Sequence, residues 1–210
     1  MSVQQDFFEK PQRRTPWEEV AFAGIDFEAA GNLPGKSDAP VQVGIAQMRA
    51  QRIDGLFVSL IRPEEQMAWS ASRVHGITRH TVANAPPLGE LWGELAARLR
   101  GRVLVAHGAA TEKRHLRAFP LHGFGPWVDT LVLARRALPD AGSHRLGDLV
   151  ESLGLSADVE GACPGRRWHD ALFDAVAALV LLRHLLHLPG NHGTAVEQLV
   201  AGHLSRSDAK

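Results

Sequence analysis

The chain has 210 residues, 45% hydrophobic and 22% charged, and its acidic and basic side chains balance to a formal net charge of zero. This is the composition of a soluble globule large enough for one domain with a sizeable core, and the balance excludes the global basic excess of many duplex-binding proteins. The lone Cys163 excludes an internal disulfide and a cysteine-cluster zinc site, the opening MSVQQDFFEKPQRR has no signal-peptide core, and the apolar stretch 175–188 is interrupted by Arg183, His184 and His187, so a cytoplasmic protein without a membrane segment is expected.

Residues 1–16 are polar, carry Pro11 and Pro16 and show no period, which predicts a flexible N-terminal arm ahead of a single domain over 17–210. Residues 20–28, 41–49 and 53–61 read as three strands rich in β-branched and apolar residues. They are separated by NLPGKSDAP and by a tight connection at Gln51-Arg52, the pattern of an antiparallel meander. Residues 62–87 read as irregular. A helix follows over 88–99, with Leu91, Trp92, Leu95 and Leu99 on one face. The pattern then changes to alternation: a buried strand at 102–106, a helix at 110–118, a short strand at 125–129, and helices at 130–137 and 146–153, the second closed by Gly154. A long helix over 171–188 stops at Pro189-Gly190, and a short amphipathic segment covers 195–204. A meander followed by strand-helix alternation predicts an α/β fold with one mixed sheet and helices packed on it.

Three segments carry chemistry. GIDFEAAG, residues 24–31, sets Asp26 and Glu28 two apart on a strand, so both carboxylates leave the same face. Such a pair is either a solvated surface doublet or a hard-oxygen platform for a divalent cation. VLVAHGAATEKRHL, residues 103–116, runs from a strand through His107 and Gly108 to Glu112 in the first turn of a helix, where a glutamate also favours the helix dipole. RRWHDALFDAVAAL, residues 166–179, places His169 before a helix carrying Asp174 within an otherwise apolar run. Their i, i+5 spacing puts His169 in the approach loop rather than on the helix face of Asp174.

In this order GIDFEAAG, VAHGAATE and HDALFDA resemble the three motifs of the DEDDh exonucleases, the DnaQ-like family that includes the proofreading epsilon subunit of bacterial DNA polymerase III. VHGIT at 74–78, WVDTLVLAR at 127–135 and HRLGDLVESLGL at 144–155 resemble further family segments, so the likeness covers about residues 20–188. It implies a ribonuclease H-like fold with a mixed five-stranded sheet and helices on both faces. It implies hydrolysis of the terminal phosphodiester at a 3′ end, releasing nucleoside 5′-monophosphates. Asp26, Glu28 and Asp174 would hold two Mg²⁺ or Mn²⁺ ions, joined by Glu112 directly or through water, and His169 would be the general base. Phe27, Ala29, His75, Thr78 and His107 would meet the substrate, with Phe27, Leu33 and Trp69 available to wedge or stack on terminal bases. Asp129 reads as a helix cap first.

The chain departs from the family pattern at Glu112, usually aspartate, at Gly108, usually asparagine, and at Ala29 and Ala30, often hydroxyl residues. Three readings follow. The leading one is a 3′-to-5′ exonuclease acting on single-stranded or frayed DNA ends, with a DNA polymerase as a possible partner. The others are a catalytically impaired nucleic-acid-binding or polymerase-associated module, and an exoribonuclease on short RNA or RNA 3′ ends.

Overall fold

A computed structural model describes residues 15–31, 38–64 and 66–204; Leu33 and residues 1–14 of the expected arm lie outside the described residues. Strands β1 (Phe22–Ala29), β2 (Pro40–Arg49) and β3 (Arg52–Leu60) form the antiparallel meander. The β2–β3 hairpin closes on Ala50 and Gln51, both at positive φ (46° and 67°), as a two-residue turn matched to strand twist requires. Helix α1 (Trp69–His75) and a 3₁₀ turn at Leu88–Leu91 lead into α2 (Trp92–Leu99), then β4 (Val103–Ala106), α3 (Ala110–Leu116) and β5 (Trp127–Asp129). Helices α4 (Thr130–Ala137), α5 (Leu146–Ser152), α6 (Ser156–Ala162), α7 (Ala171–His187) and α8 (Val196–Val200) complete the chain. Strand β4 pairs parallel with β1 and β5 parallel with β4, giving a mixed sheet of order β3-β2-β1-β4-β5.

Two elements differ from the sequence reading. The segment expected to be irregular contains α1, and α6 follows α5 directly after Gly154. Both helices are seven residues long, too short to display a hydrophobic period. Helix α1 ends where Gly76 adopts φ 77°, a left-handed cap that glycine enters without Cβ strain.

Strand alternation divides the core between two faces. Ala23, Ile25 and Phe27 join Val43, Ile45 and Leu104 beneath Leu95 and Leu99 of α2 and Leu116 of α3. On the other face Phe22, Met48, Val103 and Val105 meet α4 to α7. Helix α7 is nearly all buried, and no helix among the described residues is long and apolar enough to cross a membrane.

The close seating of α7 depends on two glycines. A Cβ on Gly24 would lie 2.5 Å from the carbonyl oxygen of Ala175, and one on Gly44 would lie 2.1 Å from the backbone nitrogen of Leu172. Neither can be relieved by a side-chain rotation, because helix backbone is the obstacle. Gly44→Ala is therefore expected to destabilise the protein by about 3 kcal/mol through overpacking. Gly93→Ala, on α2 with nothing within 4 Å, should stabilise by about 0.5 kcal/mol. Urea unfolding of the two variants checks the contrast; equal midpoints would show that α7 is not held by this contact.

Candidate active site

Three structural devices bring the motifs together. On β1, Asp26 and Glu28 share the face of Gly24 and point to the α7 side, opposite Phe27. The pairing of β1 with β2 is irregular between Glu28 and Ala29, a local break at the rim of the site. After β4 the chain turns at Gly108, φ 85°, where the Asp129 carboxylate accepts hydrogen bonds from the amides of Gly108 and Ala109, each at 2.9 Å. Asp129 also accepts from Leu131 N–H at 3.0 Å, so one side chain caps α4 and fixes the turn that launches α3 and Glu112.

The third device is the start of α7. Asp170 caps it by accepting from Leu172 N–H at 3.0 Å and is held by Arg166 at 2.6 Å. The free N–H of Ala171 donates to Gln42 Oε1 at 2.9 Å, and Gln42 is the cross-strand partner of Glu28. The helix N-terminus is thus tied to the strand pair carrying the acidic doublet. His169, in the approach loop, has φ 64°, a left-handed conformation costly for a residue with a Cβ.

One ligand atom each from Glu28, His169 and Asp174 lie within 4.8 Å of one another. Asp26 sits in the field of Asp174, Glu112 and Glu28, and burial first, then those charges, raise its pKa well above the usual carboxylate range. Burial followed by Asp174 and Asp170 pushes Glu28 up to about 8. Glu112 is 4% exposed and rises to about 7 because of burial, partly offset by its own backbone N–H. Asp174 rises to about 7 from burial, partly offset by a hydrogen bond from the His169 backbone. Oε2 of Glu112 and Oδ1 of Asp174 are buried with no protein donor. Hard oxygens crowded together, raised in pKa and left without donors fit a divalent cation, which would favour every one of their charged forms.

The remaining residues singled out in the sequence divide. Phe27 is 5% exposed on the opposite sheet face and packs on His115 with ring centroids 5.2 Å apart, so its ring belongs to the core. Ile77 N–H donates to His75 Nδ1 at 3.0 Å, leaving Nε2 to donate to the carbonyl of Ala29 at 3.2 Å. His75 therefore clamps the end of β1. His107 Nε2 donates to the carbonyl of His144 at 2.8 Å and its Nδ1 meets the Thr130 hydroxyl at 3.0 Å, which joins the strand end to α4 and α5. Burial is the first cause lowering the pKa of both rings, in keeping with neutral imidazoles. Thr78 N–H donates to Thr81 Oγ1 at 2.9 Å in an exposed turn. Gln42 and Gly44 carry no local signal of their roles in the sequence, and Arg166 and Asp170 signal their pairing only through their i, i+4 spacing.

A protein-family model described as Exonuclease matches residues 23–182. The chain is 30% identical over 178 residues to a DNA polymerase III subunit epsilon-like protein of Rhodobacter capsulatus, covering 82% of this chain but 24% of that protein. It is 30% identical over 146 residues to the DNA polymerase III subunit epsilon of Treponema pallidum, covering 66% of this chain and 67% of that one. Among solved structures it resembles Exonuclease X in complex with 5′ overhanging duplex DNA, with a TM-score of 0.71 and 25% identity over 86% of this chain and 98% of the other. The chain spans about a quarter of the length of the Rhodobacter relative.

The acidic cluster makes stability depend on pH in a defined direction. Glu28, Glu112 and Asp174 hold protons in the folded state up to about 8, 7 and 7, whereas the unfolded chain releases them near pH 4, so stability falls as pH rises across that interval. His75, His107 and His115, with pKa values pushed down, act oppositely, but only where unfolded histidine protonates, below about pH 6.5. From about pH 7 to about pH 8.5 the carboxylates dominate. The Tm of EDTA-treated protein should fall across that window, and Mg²⁺ should raise Tm most at its upper end. A flat Tm would contradict the buried cluster.

Proposed function

The chain belongs to the DnaQ-like DEDDh exonuclease family, and from that premise we propose that it is a divalent-metal-dependent 3′-to-5′ exonuclease that removes nucleoside 5′-monophosphates from single-stranded or frayed DNA ends. The observation carrying this reading is the convergence of Glu28, His169 and Asp174 within 4.8 Å beside two buried carboxylate oxygens without donors. Asp26, Glu28 and Asp174 would hold two Mg²⁺ or Mn²⁺ ions, with Glu112 reaching them directly or through water. Bound there, the ions supply an acidified water and stabilise the departing 3′ oxygen.

The protein's own part is placement and proton transfer. His169 stands at the solvent-facing rim, and its imidazole takes the proton of the attacking water. Its backbone N–H meanwhile supports Asp174, so the loop conformation that presents the ring also orients a carboxylate. His75 holds the end of β1 through Ala29, the strand end the 3′ nucleotide would meet.

A DNA substrate is favoured by the names of the relatives, and a DNA polymerase is the partner those names suggest. The single buried cysteine accords with a cytoplasmic setting.

With Mg²⁺ or Mn²⁺ a 5′-labelled oligodeoxynucleotide should shorten from its 3′ end, and Asp26→Ala should abolish the ladder. His169→Gln should lower kcat by about 10²- to 10⁴-fold. Glu112→Asp should lower it by about tenfold, because the shorter side chain withdraws from a buried position that the present site uses. A large gain from Glu112→Asp would instead identify an impaired module. Faster cleavage of an RNA of equal sequence in the same salt would transfer the assignment to RNA.

A further inference from the structure

Helix α1 is seated on the segment after β1: a Cβ on Gly31 would lie 2.9 Å from Ala71 Cβ and 3.0 Å from Ala68 Cβ, and His75 bonds to Ala29. The flank beside that seat is open. Trp69 is 73% exposed, and the Arg73 guanidinium lies over its ring, 4.8 Å from the centroid. Trp69 and Arg73 are at i and i+4, about 40° apart around the helix, so they form one stripe running toward the helix end that Gly76 caps. Its far end is located directly: a Cβ on Gly76 would lie 3.2 Å from Arg167 Nη2. Arg167 is two residues from His169. The stripe therefore runs from an exposed indole to the rim of the acidic cluster.

Its chemistry is that of a nucleic-acid track. The helix carries no acidic residue, and among the described residues neither Arg73 nor Arg167 has an ion-pair or hydrogen-bonding carboxylate. The carboxylates around Asp26 repel phosphate, so cations just outside them are where a polyanion can be held. Seven residues of helix rise about 10 Å, the length of about three stacked nucleotides at about 3.4 Å each.

We propose that the Trp69–Arg73–Arg167 stripe holds the single-stranded DNA immediately 5′ of the scissile phosphodiester, with the indole stacking on a base about three nucleotides upstream and the two guanidinium groups on the intervening phosphates. The inference rests on the exonuclease reading. It moves Trp69 from the terminal base to the upstream strand. One indole face carries Arg73 and the other is free for a base, a sandwich that tolerates any sequence.

The test is binding of a fluorescent decadeoxynucleotide in EDTA, measured by anisotropy, so that cleavage cannot consume the probe. Trp69→Ala should raise Kd about tenfold, and Trp69→Phe should recover most of the loss. Arg73→Ala should reduce the slope of log Kd against log salt by about 0.7. Unchanged Kd and slope in these variants, or no binding by the wild type, overturns the track. In cleavage assays the wild-type KM should fall as substrates lengthen from two to about four nucleotides, and Trp69→Ala should flatten that dependence. Cleavage with unaltered length dependence refutes the track while keeping the exonuclease. Binding with the expected variant effects but no cleavage keeps the track and refutes the exonuclease.

Discussion

The site depends first on how closely one helix can lie on one sheet. Helix α7 crosses β1 and β2 where Gly24 and Gly44 present no side chain, so helix backbone meets β2 at Gly44, and helix backbone together with the Leu179 side chain meets β1 at Gly24. That approach decides where the first turn of α7 falls. Asp174 then stands in the field of Asp26 and Glu28 rather than a side-chain layer away, and Ala171 N–H reaches Gln42 across the sheet. A bulkier residue at either glycine would lift the helix and dissolve the acidic cluster before any acidic residue changed. Packing is thus prior to chemistry, although the two are usually assigned to different residues.

The cluster itself opposes folding. Burial, reinforced for Asp26 and Glu28 by neighbouring carboxylates of the cluster, raises the pKa of these groups, so they stay protonated at pH values where ordinary carboxylates ionise. The surroundings counter this by fixing the backbone and leaving the acidic oxygens open. Asp129 holds the turn before α3 through two amides, Asp170 with Arg166 holds the cap of α7, and Gln42 takes the next amide. None of these bonds satisfies Oε2 of Glu112 or Oδ1 of Asp174. A frame that is well bonded around donorless oxygens is preorganised for a cation, because little ordering remains to be done when one binds.

Much of this was legible in the sequence where the signal was local. The meander, α4 and the long α7 follow from apolar and β-branched runs bounded by turn residues, with Pro189-Gly190 closing α7, and the i, i+2 spacing of Asp26 and Glu28 already placed them on one face. What was not legible was non-local or short. Gln42 is one polar residue in a strand until the register sets it opposite Glu28 and α7 delivers an amide to it. Helix α1 spans two turns whose inward positions are Ala68, Ala71 and His75, too weakly apolar to announce a helix. Phe27 stands between the two acidic residues in sequence, yet alternation sends its ring into the opposite core. His75 and His107 likewise show their bonding only once their partners, as far as 46 residues away, are in place.

Gly108 and Glu112, two of the departures from the family pattern, both sit in well-defined surroundings. Gly108 occupies a left-handed backbone position, φ 85°, which asparagine tolerates and glycine enters freely, and the conformation is held by the hydrogen bond its N–H donates to the Asp129 carboxylate. Losing the asparagine side chain there leaves the turn geometry intact, because the backbone and Asp129 carry it. Glu112 leaves the first turn of α3 and is almost wholly buried, so its extra methylene lies within the protein while its charge reaches Asp26. A glutamate belonging to a decaying site would be expected to swing toward water, where its carboxylate is cheaply solvated. This one instead keeps a donorless oxygen inside the cluster, with its pKa raised to about 7, and that is an arrangement a divalent cation stabilises and solvent does not.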